Sequence, residues 1–120
     1  MHCTYHENME TIEWKDFEKI HFCVGTIIKA EQFPEARKPA YKMWIDLGEK
    51  IGVKKSSAQI TAHYELDALI GKQVVCVVNF APRQIGPFMS EVLVTGFADH
   101  QGHVILTSVE QKVQNGARLS

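Results

Sequence analysis

The sequence predicts an all-β fold, a small barrel carrying a minor helix, on three observations. Runs rich in Val, Ile and Thr recur along the chain, several alternating apolar with polar residues at the period of two that a half-buried strand requires. Gly, Pro and Asn punctuate these runs at short intervals. Among the strands, one helical stretch intervenes, between the third and the fourth.

In chain order, Glu13 to Lys19 predicts a short helix, with Trp14, Phe17 and Ile20 spaced to share a face. Phe22 to Phe33 reads as a long strand in which Gly25 invites a bulge or a tight bend. Pro34 and Pro39 bound a loop, because the residue before each proline is pushed out of helical geometry. Tyr41, Met43, Ile45 and Leu47 alternate with Lys42, Trp44 and Asp46, a half-buried strand ended by Gly48. Ile51 to Ile60 predicts a third strand, and Thr61 to Leu69 a helix with Gly71 just past its end. Strands over Lys72 to Phe80, Glu91 to Phe97 and His103 to Ser108 follow, and Asn115-Gly116 is a turn signal. Five or so curved strands with a helix between the third and fourth is the layout of an OB-fold, a partly open barrel whose face and flanking loops take nucleic-acid chains or sugars.

The 120 residues are expected to form one domain over 14–120 behind a flexible tail at 1–13. With 45% apolar and 22% charged residues, the chain can close a core of its own. No run approaches the roughly 20 apolar residues of a membrane span, and the polar start predicts no signal peptide. The three cysteines form no CxxC pair; Cys23 and Cys76 fall inside apolar strand patterns, the mark of small buried thiols and of a reducing, cytoplasmic compartment. The formal net charge of −1 conceals an asymmetry: residues 1–19 carry a net −3 and residues 33–83 a net +3. A basic face on the middle of the chain follows, fit for a polyanion or simply for solvent.

The richest stretch runs from Asn79 to Val94, where an apolar strand meets Asn79, Arg83 between Pro82 and Gly86, and the Ser90-Glu91 pair. Loops mounted on a rigid sheet are where binding groups concentrate. Arg37, Lys38, Lys42, Lys54 and Lys55 are placed to converge on a phosphate-tracking groove, joined by Asn79, Arg83, Ser57 and Ser90, with Ser56 and Gln59 as further hydrogen-bonding groups. Asn79 as a turn cap and Arg83 as a partner of Glu91 are the structural alternatives. Phe80, Ile85, Pro87, Phe88 and Met89 are too many apolar groups for a short loop to bury, which marks a peptide-binding or dimer surface. His2, Cys3, His6 and Glu7 have metal-ligand chemistry without a second cluster at matching spacing, and His100 and His103 flank a hairpin turn, so no metal site or cofactor is expected. No Gly-rich phosphate loop, nucleophile elbow or paired carboxylates appear, which argues against an enzyme.

Val24-Gly25-Thr26-Ile27, Pro34-Glu35-Ala36-Arg37 and Lys42-Met43-Trp44-Ile45-Asp46-Leu47-Gly48, followed by Leu69-Ile70-Gly71-Lys72-Gln73-Val74-Val75, Val77-Val78-Asn79-Phe80 and Ser90-Glu91, resemble the EMAPII-like tRNA-binding domain. That domain occurs free-standing and as an appendage of methionyl- and phenylalanyl-tRNA synthetases, and the resemblance covers residues 16–120. Lys55-Ser56-Ser57-Ala58-Gln59-Ile60-Thr61 stands where most of the group carry a Ser-Gly pair, and Ser90-Glu91-Val92-Leu93 where they carry Ser-Glu-Gly-Met. Both variants, with Asn79-Phe80-Ala81-Pro82-Arg83, are similar to the CsaA branch, cytoplasmic proteins described as protein-export chaperones. The resemblance implies an OB-fold, a homodimer, no catalysis and two ligand classes: tRNA, and unfolded preproteins with the export motor as a further candidate partner. A tRNA-binding protein or synthetase accessory module without a chaperone role is the alternative it leaves open.

Overall fold

The computed structural model describes residues 9–120, so the donor-rich group His2, Cys3, His6 and Glu7 lies outside the described residues. Helix α1 (Trp14–Glu18) opens the described chain. The Glu13 N–H donates to the Asp16 carboxylate at 3.0 Å, which occupies one of the amides that a helix start leaves without a partner. Its aromatic side runs on into the sheet, with Trp14 5.1 Å from Phe17 and Phe17 stacked 6.3 Å from Phe22.

Strands β1 (Phe22–Gln32), β2 (Tyr41–Asp46), β3 (Val53–Ala58), β4 (Gln73–Val77) and β7 (Leu93–Val94) form one antiparallel sheet in the order β3-β2-β1-β4-β7. The sheet curls into a nearly closed five-stranded barrel, as the alternation in the sequence predicts. Between β2 and β3 sits the one-turn helix α2 (Gly48–Ile51), and between β3 and β4 the short α3 (Leu66–Leu69). Two small hairpins complete the fold: β5 (Arg83–Ile85) with β6 (Phe88–Ser90), and β8 (Gly96–Ala98) with β9 (Val104–Leu106). No helix among the described residues is long and apolar enough to cross a membrane.

The inward face of β2 supplies Tyr41, Met43 and Ile45 to a core shared with Ile27, Leu47, Leu69, Val74 and Cys76. Each large apolar side chain fully buried there contributes about 1.5–3 kcal/mol relative to leaving it in water. Cys23 and Cys76 are register partners on β1 and β4, both buried and unlinked; burial first, and the neighbouring Cys23 second, push the Cys76 thiol up to about 12.

Four expectations about elements are corrected. The register shift of β1 lies between Ile27 and Lys29 rather than at Gly25. Gly25 is instead required for close approach, because a Cβ there would stand 2.5 Å from Ile45 Cγ2 and 2.7 Å from Leu47 Cδ2. The helix read over Thr61 to Leu69 shrinks to its last turn: the Tyr64 carbonyl accepts from the Tyr41 hydroxyl at 2.8 Å, the Tyr64 hydroxyl accepts from the Leu106 amide at 3.0 Å, and Glu65 is extended. Residues 83–90 are a hairpin rather than a loop, turned at Gly86 with φ of +54°. The strand read over Glu91 to Phe97 breaks at Thr95, where the chain leaves β4 for β9; Thr95 spends both its amide and its hydroxyl on the Val75 carbonyl, at 3.0 and 2.8 Å.

Candidate nucleic-acid interface

Residues opposite each other in a ladder share a face, so register decides which cations meet. On the outer side of β1, β2 and β3, Lys29, Trp44 and Lys55 form one row, and Glu31, Lys42 and Ser57 the next. Lys29 stands on this face because of the bulge. Continued from the Ile27–Ile45 pair without it, the ladder would set Lys29 against core-facing Met43; the extra residue, Ile28, turns Lys29 out and Ala30 in. Lys29 Nζ lies 4.5 Å from the Trp44 ring centroid. Lys42 Nζ lies 5.6 Å from the Phe33 ring and 5.8 Å from that of Phe88, and Lys55 Nζ 5.2 Å from Phe88.

Phe88 with Phe33 and Ala40 forms a second small apolar cluster on this outer face, flanked by Trp44, Ala36 and Ile85. The Phe88 ring meets Phe33 at 5.5 Å and Trp44 at 5.9 Å, edge to face. These contacts pin the β5–β6 hairpin over the strands. Phe88 is therefore only 7% exposed and is an anchor within its own chain, not the free contact residue that the sequence suggests. Ile85 and Met89 are half-buried, whereas Pro87 and Phe80 are exposed.

Beneath the hairpin opens a cleft of about 760 Å³, lined by Arg37, Lys38, Ser57, Gln59, Arg83 and Ile85 among others. A second cleft of about 450 Å³ adjoins it, where Ser57, Arg83, Ile85 and Leu93 recur beside Phe80 and Ser90. Arg37, Lys38, Lys55 and Arg83 have no ion-pair partner among the described residues. Lys42 does, with Glu31 at 3.6 Å. An exposed aromatic, Phe80, thus stands beside an uncompensated guanidinium, the combination that accepts a stacked base and its phosphate.

The structure brings Arg37, Lys38, Ser57 and Arg83 together around the cleft, with Lys42 and Lys55 on the same outer face. It does not bring Lys54 or Asn79. Lys54 pairs with Ile45 in register and so belongs to the other face of β3. Asn79 is consumed locally: its amide donates to the Lys19 carbonyl at 2.7 Å and accepts from the His21 amide at 3.0 Å, tying α1 to the end of β4. Ser90 and Glu91 have become closure groups. Ser90 Oγ accepts from the Ser57 amide at 3.1 Å and Glu91 Oε1 from the Lys55 amide at 3.0 Å, while the Glu91 amide donates to the Lys55 carbonyl at 2.8 Å. The pair satisfies the open edge of β3, where a sixth strand would otherwise be needed. Sequence reading missed Lys29, Trp44 and Leu93. The alternation of Trp44 with Met43 and Ile45 signals its outward side; for Lys29 the unread bulge hid the signal.

Residues 22–118 match the family described as "Putative tRNA binding domain". The chain belongs to that family. Among solved structures, the tRNA-binding-domain chain is similar to the chaperone CsaA of Bacillus anthracis, at 42% identity and a TM-score of 0.87 over 92% of this chain and 100% of the other. CsaA of Picrophilus torridus is similar at 45% identity, TM-score 0.86 and the same coverage. A MetRS-related protein of Pyrococcus horikoshii follows at 27% identity and 0.81, over 93% of this chain and 100% of that one. The methionine–tRNA ligase of Methanocaldococcus jannaschii is 29% identical over 113 residues, which are 94% of this chain and 17% of the ligase. That of Methanococcus aeolicus is 33% identical over 94% of this chain and 16% of its own length. The chain thus spans about one sixth of the ligases it matches. The resemblance read from the motifs, the CsaA type included, holds, and so does the barrel.

Proposed function

We propose that this tRNA-binding-domain protein binds without catalysing, gripping tRNA across the outer face of β1–β3 and the cleft under the β5–β6 hairpin. One observation carries the reading: Arg37, Lys38 and Arg83, free of ion pairs among the described residues, surround one cleft beside the exposed ring of Phe80. Cations of this kind displace counterions from a phosphate backbone, so affinity falls with salt by a log–log slope of about 0.7 to 0.9 per phosphate neutralised. Folded RNA presents shape and backbone rather than base edges, which suits a face of point charges.

A second ligand class is favoured by the apolar part of the same clefts, where Phe80 is 58% and Leu93 49% exposed, and by the similarity to CsaA chaperones. In this reading an unfolded, export-bound polypeptide lies in the groove that RNA would otherwise take, and the two compete. The protein acts as a dimer in the cytoplasm, where its buried, unlinked thiols persist.

The test is tRNA binding by Lys38→Ala/Lys55→Ala/Arg83→Ala, measured across a salt series. Affinity is expected to drop at least about tenfold and the salt slope to flatten by about 2 to 3. Unchanged affinity and slope in the folded variant would remove tRNA from this face. If RNA and peptide share the groove, a saturating unfolded polypeptide will displace tRNA; simultaneous binding would refute the shared site.

A further inference from the structure

The turn ahead of α3 and the β8–β9 hairpin, far apart in sequence, meet at a group of donors that the tRNA-binding reading does not use. His63, Asp99 and His103 each present a ligating atom within 4.8 Å of the other two. His63 Nε2 lies 2.7 Å from Asp99 Oδ2, and the two imidazoles stand edge to face at 5.6 Å. The hairpin explanation offered by the sequence accounts for His100 but not for this arrangement, because His63 comes from a separate segment.

Asp99 is built in place. Its Oδ1 accepts from the backbone amides of Gln101 and His103, each at 2.9 Å, which fixes the carboxylate and leaves Oδ2 facing the imidazoles. The His103 amide first, and His63 next, hold the carboxyl ionised, down to about 2. A charged carboxylate between two imidazoles matches the donor set of borderline divalent ions. Ligands on one tetrahedral ion at about 2.0–2.2 Å stand roughly 3.3–3.6 Å apart. The donor atoms lie within 4.8 Å of one another, near that spacing, and His63 and His103 are exposed.

We propose that His63, Asp99 and His103 form a binding site for a divalent transition-metal ion of the zinc class. Two imidazoles and one carboxylate leave at least one coordination position open to solvent.

The test is calorimetric titration of the full chain with zinc chloride in a non-chelating buffer. The panel holds the wild type, His63→Ala, His103→Ala, Asp99→Asn and a tail variant, His2→Ala/Cys3→Ala/His6→Ala. Asp99→Asn retains an oxygen to cap the hairpin while removing the charge. One site is expected in the wild type and undiminished in the tail variant, weakened at least about tenfold in each of the other three. Imidazole resonances of His63 and His103 should shift on zinc addition with the same midpoint. Failure of the wild type to bind, a site lost with the tail, or a site that survives the His63 and His103 substitutions would overturn the proposal. Circular dichroism of each variant separates loss of ligand from loss of fold.

Discussion

Glu91 closes the barrel at the level of single atoms. Its carboxylate accepts from the Lys55 amide while its own amide donates to the Lys55 carbonyl, so one residue meets both polar groups of an edge-strand position. Ser90 Oγ accepts from the Ser57 amide alone. Truncating one partner strands the other in a half-buried place, at a cost of about 1–3 kcal/mol. Chemical denaturation of Glu91→Ala should therefore show a loss of that size with the slope against denaturant unchanged. A loss below about 0.5 kcal/mol would mean that water replaces the carboxylate and that closure rests on packing alone. Residue identity also explains where sequence reading fell short. Ser90, Glu91 and Asn79 are recognisable polar signals, but their partners lie 33, 36 and 58 or more residues away, so a binding role and a structural one look alike in the sequence.

Among the elements, parity sorts the cations. Lys55 and Ser57 share the outward side of β3 with Lys42 and Trp44 across the ladder, while Lys54 has the parity of Ile45. The alternation of β2 was legible, whereas on β3 both Lys54 and Lys55 were expected in the groove and only Lys55 faces it. The bulge at Ile28 and the hairpin at 83–90 were not legible, because each depends on what the strand packs against rather than on its own residues. The β8–β9 hairpin presents a further apolar side: Phe97 and Ile105 are register partners and 73% and 42% exposed, and Val113 and Leu119 are exposed nearby at 37% and 52%. Phe97, Val113 and Leu119 line an apolar cleft of about 490 Å³. This face, rather than the loop residues expected from sequence, is the better candidate for self-association, since Phe88 is spent inside its own chain. Sedimentation should find a dimer in the wild type and a monomer in Phe97→Asp; an unchanged dimer would exclude this hairpin from the interface.

Across the whole molecule, the strand barrel gathers Lys42, Lys55 and the Arg37, Lys38 and Arg83 cleft on one outer side, while the exposed Phe97 of the β8–β9 hairpin lines a different cleft. Barrel class followed from periodicity, turn residues and family motifs; which of the expected cations share a face required register. RNA is expected to dock on the outer face of β1–β3, with the cleft under residues 83–90. Backbone amide shifts during titration of the full chain with tRNA test it most directly. Perturbation centred on Lys38, Lys55, Ser57, Phe80 and Arg83 is the predicted result. Perturbation centred instead on Phe97, Val113 and Leu119, with the Arg83 cleft silent, would contradict it.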